Sequence, residues 1–196
     1  MKLYFAPRTR AVRPRWLLEE LGVPYDLVRQ PDITPEYLAV HPLGELPALV
    51  DGDVTLLDSL SICLHMADRF PEKQLAPPVG SPERGPYYGW MAFAELRLDP
   101  VVMEFYRDAR SPPEREASDG TAAQARARLT AVLDFIDRGL GDREFLVGGA
   151  FTAADVVMAS ILHLAHTLML LDRHPRLLEY VRRHSQRPAV RRAVAG

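Results

Sequence analysis

One cysteine among 196 residues, Cys63, rules out an internal disulfide and any CxxC metal or redox pair. No apolar stretch approaches the length of a membrane span, and the opening MKLYFAPR holds no run of signal-peptide length. A cytoplasmic protein with no membrane partner is therefore the expectation. A formal charge of only −2 gives no reason to expect nucleic acid as a partner. What charge excess exists is local: Arg8, Arg10, Arg13 and Arg15 near one end, and Arg182, Arg183, Arg187, Arg191 and Arg192 near the other. Each cluster reads first as a solvated face. Internal repeats, low-complexity tracts and heptad runs are missing as well. What remains is 47% apolar and 26% charged, enough to bury a core in one or two globular domains.

Taken in order, Lys2 to Ala6 reads as a short strand with Leu3 and Phe5 on one side, ended by Pro7. Val12 to Leu21 has helical spacing in Val12, Trp16, Leu17 and Leu21, with Gly22 as its C-cap. Pro14 sits in the first turn, where backbone N–H groups have no intrahelical acceptor. Tyr25 to Val28 is a second strand, and strand-helix-strand order predicts a right-handed crossover with parallel pairing. Thr34 and Pro35 read as N-cap and first residue of a short helix to about Val40. Ala48 to Val50 and Thr55 to Leu57 form a hairpin around Asp51-Gly52. Asp58 then opens a helix with Ile62, Met66 and Phe70 on its buried face.

Pro71 to Pro82 is a proline-rich linker, and the pattern beyond it is helical. Domains of 1–75 and 83–196 follow from this division. Glu83 to about Ala109 reads as one helix interrupted near Pro100, with the turn at the SPPE stretch from Ser111. Thr121 to Gly139 places Leu129, Val132, Leu133 and Ile136 on one face. Thr152 to about Leu171 is apolar nearly all round and so central. Thr152 caps it, and Asp155 reaches back in the capping-box manner, which makes Asp155 a fold residue. His163 and His166 lie three apart on this helix with no third ligand spaced to join them, so packing or inter-helix hydrogen bonds rather than metal is their reading.

The motifs LYFAP with RPRWLLEELGVPY, HPLGELPALVDGD, LLDSLSICLHMADRFP and FTAADV resemble, over nearly the full length, the bacterial cytosolic glutathione transferases of beta and theta type. The resemblance implies an α/β thioredoxin-like N-terminal domain, an all-α helical bundle after it, and a homodimer. It also implies glutathione as co-substrate, a small hydrophobic electrophile as the second substrate, and no metal. The physics of the motif pair agrees. Asp58 supplies an anion for the glutathione ammonium, and Ser59 with the free N–H groups of the helix start supplies donors for the α-carboxylate. The cysteinyl backbone would lie antiparallel to Leu46, with Pro47 cis as the resemblance implies. Asp58 has a second reading as a plain N-cap, worth roughly 1 kcal/mol. Glu45 stands where relatives often carry Lys or Gln, and its charge either opposes the glycyl carboxylate of glutathione or turns outward.

Activation of the thiol needs a donor. Lowering a thiol pKa by two units takes about 2.7 kcal/mol, and a hydrogen bond involving a charged group contributes roughly 1.5 to 3 kcal/mol. The candidates are Thr9, the only hydroxyl in the Arg8 to Arg10 loop, the guanidinium of Arg10, and Tyr4 of the first strand, which reads equally as a packing residue. Arg10 falls where the beta class has its cysteine, which removes mixed-disulfide chemistry at that position. For the electrophile the resemblance points to the cleft between the domains, with Trp90, Met103, Tyr106, Arg107 and Arg110 as lining residues, each of which reads alternatively as packing. The expected activity is conjugation of the glutathione thiolate to an electrophile. Glutathione-dependent isomerisation or peroxide reduction, and a non-catalytic binding or regulatory protein, stay open beside it.

Overall fold

Alternation along Lys2–Phe5 (β1) layers the first part of the structure: Leu3 and Phe5 are fully buried, while Tyr4 between them points to the opposite face. The sheet has the order β2-β1-β3-β4, with β2 Asp26–Arg29, β3 Ala48–Asp51 and β4 Val54–Leu57. β1 pairs parallel with β2 and antiparallel with β3, and β3 pairs antiparallel with β4. The structure is a computed structural model describing residues 1–29, 32–110 and 119–195, the side chains of 119–121 excepted. The turn expected from Ser111 lies outside the described residues.

Helix α1 (Val12–Leu21) connects β1 to β2, and its end is set by Gly22, whose φ of 66° lets its N–H return to the Leu18 carbonyl. Helix α2 (Pro35–Val40) begins as its sequence requires, with the Thr34 hydroxyl accepting from the Tyr37 N–H and Pro35 in the first turn. Tyr37 is the buried residue of this helix and meets Tyr4 ring to ring at 5.1 Å, so α2 covers the Tyr4 face of the sheet. Helix α3 (Ser59–Arg69) buries Ile62, Cys63, Met66 and Ala67, whereas Phe70 is only half-buried. The hairpin turn lies one residue later than expected. Asp51 pairs with Val54, so Gly52 and Asp53 are the two central residues, with glycine first at φ 62°.

Met1–Ser81 packs together with Gln186–Gly196 as one compact unit, and Pro82–Ser185 forms another. The last helix, α9 (Pro188–Val194), thus belongs with the sheet rather than with the helical residues that precede it in the chain. Charge explains this placement. Arg187 bonds both carboxylate oxygens of Glu20 at 2.6 and 2.8 Å, Arg192 donates to the Glu19 carboxylate at 2.6 Å, and Arg15 donates to the Ala195 carbonyl at 2.9 Å. The basic C-terminal cluster is therefore partly a set of ties onto α1, not a plain solvated face.

In the second unit α4 (Arg84–Phe93) and α5 (Asp99–Asp108) are joined by a π-helical turn over Ala94–Leu98. Pro100, which has no N–H for the helical ladder, is the second residue of α5, just beyond this turn. Tyr87, Met91, Ala94, Leu98 and Val102 nonetheless form one buried stripe across it. Helix α6 (Asp119–Leu140) buries Ala125, Leu129, Leu133, Ile136 and Leu140, and Phe135 stacks on Phe93 at 4.6 Å. Helix α7 (Ala153–Thr167) is buried throughout 153–159 and more exposed toward its end, where His166 faces outward and the exposed His163 ring lies 3.4 Å from the Ser185 hydroxyl of the next helix. Asp155 is fully buried and accepts from the Leu146 N–H, the Thr152 N–H and hydroxyl, and the Tyr180 hydroxyl of α8 (Pro175–Ser185). Burial pushes its carboxyl up despite these donors.

Candidate functional site

Three chain segments converge at one end of the sheet. Ala48 lies opposite both Tyr4 and Leu57. Continuing these registers outward brings the loop after Phe5, the Leu46-Pro47 pair and the Asp58-Ser59 pair together. The Leu46-Pro47 peptide is cis, Pro47 is buried and Leu46 half-buried.

The loop at 41–47 is held from inside the first unit. The Gly44 N–H returns to the His41 carbonyl at 2.8 Å, and Gly44 has φ 66°. A methyl at this position would crowd the exposed Ile33 side chain at 3.1 Å, and the backbone conformation itself favours glycine. The Tyr37 hydroxyl donates to the carbonyl of Glu45. Burial and the neighbouring Tyr4 push the Tyr37 phenol up to about 12, so it keeps its proton at neutral pH. The Glu45 side chain is exposed.

At the start of α3, Asp58 occupies the cap position with φ 68° and ψ 140°, and its side chain makes no capping bond. A non-glycine residue held at such a φ costs of order 1–3 kcal/mol, and the plain N-cap reading supplies no compensating bond here. Ser59 is buried and accepts a hydrogen bond from the Arg13 guanidinium at 3.3 Å. Arg13 is itself 4% exposed, so a positive charge is buried beside the N–H end of a helix. Both features favour an anion nearby. Arg13, Leu17 and Leu21 share one stripe of α1, and an arginine on an otherwise apolar stripe is the sequence signal that would have found it.

In the first loop, the Thr9 hydroxyl donates to the Ala6 carbonyl at 2.7 Å and accepts from the Ala11 N–H at 3.2 Å. Its single hydrogen is thereby engaged with the backbone, and Thr9 orders the entry to α1. Arg10, next to it, is exposed. The Tyr4 hydroxyl makes no hydrogen bond to the described residues, and its ring lies on the α2 side of the sheet. Of the residues named for the electrophile, Trp90 packs against Phe93 and Phe135 and lies directly over Gly139. Tyr106 and Arg110 of the α5 end are joined at 2.9 Å, with Met103 half-buried and Arg107 exposed.

Comparison with known proteins adds independent information. Residues 3–74 match the family model described as the glutathione S-transferase N-terminal domain, and residues 114–183 match that for the C-terminal domain. The chain is similar to glutathione S-transferase GstA of Escherichia coli O157:H7, with 28% identity over all of this chain and 98% of that protein. It is 30% identical to glutathione S-transferase 3 of Zea mays, over 79% of this chain and 73% of the maize protein. Among solved structures, a sphingomonad glutathione S-transferase complexed with glutathione superposes with a TM-score of 0.84 at 28% identity, over 99% of this chain and 97% of that one.

Proposed function

Because the chain belongs to the cytosolic glutathione S-transferase superfamily, we propose that it is an enzyme that binds glutathione and conjugates its thiolate to a small hydrophobic electrophile. One observation carries the reading: Leu46-cis-Pro47, Asp58 and Ser59 gather at the same end of the sheet, with Ser59 held by the buried Arg13. In this reading the backbone of Leu46 pairs with the cysteinyl residue of glutathione, next to a proline that offers no competing N–H. The Asp58 carboxylate takes the ammonium. Ser59, oriented by Arg13, and the N–H groups opening α3 take the α-carboxylate. Glu45 lies beside this backbone and is exposed.

The thiol then sits toward the loop of Thr9 and Arg10 and the end of β1. A shift of two units needs about 2.7 kcal/mol of preference for the thiolate. Thr9 reaches that role only by releasing Ala6, so Arg10 and Tyr4 are the stronger donors, and Thr9 shapes the loop that presents them. Positioning and thiolate formation together do most of the catalytic work. The expected division at 1–75 and 83–196 is amended by the return of Gln186–Gly196 to the first unit; glutathione is assigned to that unit, and Met103, Tyr106, Arg107 and Arg110 are the residues proposed for the electrophile. The protein acts in the cytoplasm as a homodimer, which light scattering and cell fractionation test.

A second reading, a glutathione-binding protein without catalysis, is favoured by the engagement of the Thr9 hydroxyl. Calorimetric titration with glutathione, followed by ultraviolet titration of the bound thiol, separates the two. Thiolate absorbance appearing near neutral pH supports the enzyme, and binding with an unshifted thiol supports the second reading. Absence of binding removes both. Thr9→Ala, Arg10→Ala and Tyr4→Phe in the same titration locate the donor.

A further inference from the structure

The peptide that would meet glutathione is gripped from behind. The Glu45–Leu46 peptide is trans, so its carbonyl and its N–H point in opposite directions in one plane. The carbonyl end of that plane is held by the Tyr37 hydroxyl. Tyr37 is 2% exposed, belongs to α2, and is braced on both sides by rings, Tyr4 at 5.1 Å and His41 at 6.2 Å. Its own backbone carbonyl accepts the His41 N–H, which ties the same helix to the start of the loop. A rigid phenol therefore fixes one end of a plane whose other end is the Leu46 N–H.

We propose that Tyr37 is a positioning residue for glutathione, aiming the Leu46 N–H at the cysteinyl carbonyl by holding the Glu45 carbonyl. This rests on the reading of Leu46 given above. The Tyr37 ring also packs on Tyr4, a contact that does not need the phenol hydroxyl, so removing the hydroxyl alone isolates the grip on Glu45. With a phenol that stays protonated through the neutral range, the grip is constant across the working pH of a transferase. Without it the peptide can rotate about its flanking bonds, and each binding event must order it again.

Tyr37→Phe tests this directly, because it keeps the ring and its packing and deletes one hydrogen bond. Its loss predicts about a five- to tenfold rise in the glutathione dissociation constant and KM, the scale of one net hydrogen bond. The turnover number and the KM for an activated aryl chloride stay within about twofold of wild type. The Leu46 amide resonance of the ligand-free protein moves, while those of β2 do not. Unchanged glutathione affinity in a variant of a wild type that binds glutathione overturns the proposal, as does an unmoved Leu46 amide. If the wild type takes up no glutathione, the reading of the site falls, and the amide shift still decides whether Tyr37 holds the peptide.

Discussion

The Arg13 guanidinium donates to the Ser59 hydroxyl at 3.3 Å, joining the first turns of two helices that start 47 residues apart, with both side chains buried. This one hydrogen bond sets the electrostatics of the candidate site. It places a buried cation beside a helix N-terminus, and the two together favour an arriving carboxylate. Replacing Arg13 by Met keeps the apolar stem and removes the charge. Since hydrogen bonds to charged groups contribute roughly 1.5 to 3 kcal/mol, we expect glutathione affinity to fall about 10- to 100-fold. Calorimetry checks the affinity, and an unchanged value would leave Arg13 a purely structural residue.

Asp58 gives a prediction in which stability and binding move apart. Its φ of 68° is strained for aspartate and free for glycine, and its side chain caps nothing. Asp58→Gly is expected to leave stability unchanged or to raise it by about 1 kcal/mol. Glutathione binding should weaken at least about tenfold through loss of the charge on the ammonium. Denaturant melts and titrations on the same preparation decide; a destabilised variant with normal binding would restore the N-cap reading.

Glu19 predicts an acid sensitivity. Burial alone would raise its carboxyl, but the Tyr25 hydroxyl and the Arg192 guanidinium outweigh it and hold the group below its ordinary 4.5. A carboxylate depressed in the folded state contributes stability that is present above its unfolded value. That contribution is lost as pH falls through the folded one. Stability of the wild type should therefore drop below about pH 4.5 with a component that is smaller in Arg192→Ala, where the Tyr25 bond remains. The exposed tie keeps this component under about 1 kcal/mol. Parallel melts at neutral pH and in acid measure it, and identical pH profiles for the two proteins would remove Glu19 from the account.

Asp155 is expected to matter for folding and not for chemistry. Asp155→Ala strands the Leu146 and Thr152 N–H groups and the Tyr180 hydroxyl in a buried place. The cost should be about 3 kcal/mol or more, against about 1 kcal/mol for Tyr180→Phe, which removes one bond only. Denaturant midpoints give both values. The glutathione affinity of whatever Asp155→Ala protein remains folded should match wild type.

Local chemistry was enough to read much of this molecule. Val12, the spacing to Leu21 and Gly22 bound α1 correctly, Thr34-Pro35 starts α2, and Thr152 with Asp155 starts α7, because a cap or a helix stripe involves residues within one or two turns. The Leu46-Pro47 and Asp58-Ser59 pairs were singled out through the resemblance of their motifs, since spacing alone leaves Asp58 a plain N-cap. The hairpin turn was read one residue early because either neighbour of Gly52 can share a two-residue turn with it, and the cross-strand register chooses between them. Tertiary structure alone decided that Arg13 meets Ser59, that Tyr37 holds Glu45, that the Thr9 hydrogen goes to Ala6, and that Arg187 and Arg192 return α9 to α1. Apart from Thr9, these bonds join different elements, and their partners are fixed by the packing of helices on the sheet. For Thr9, the bond to Ala6 is local, but it forms only because the end of β1 and the start of α1 hold the loop between them in a tight turn.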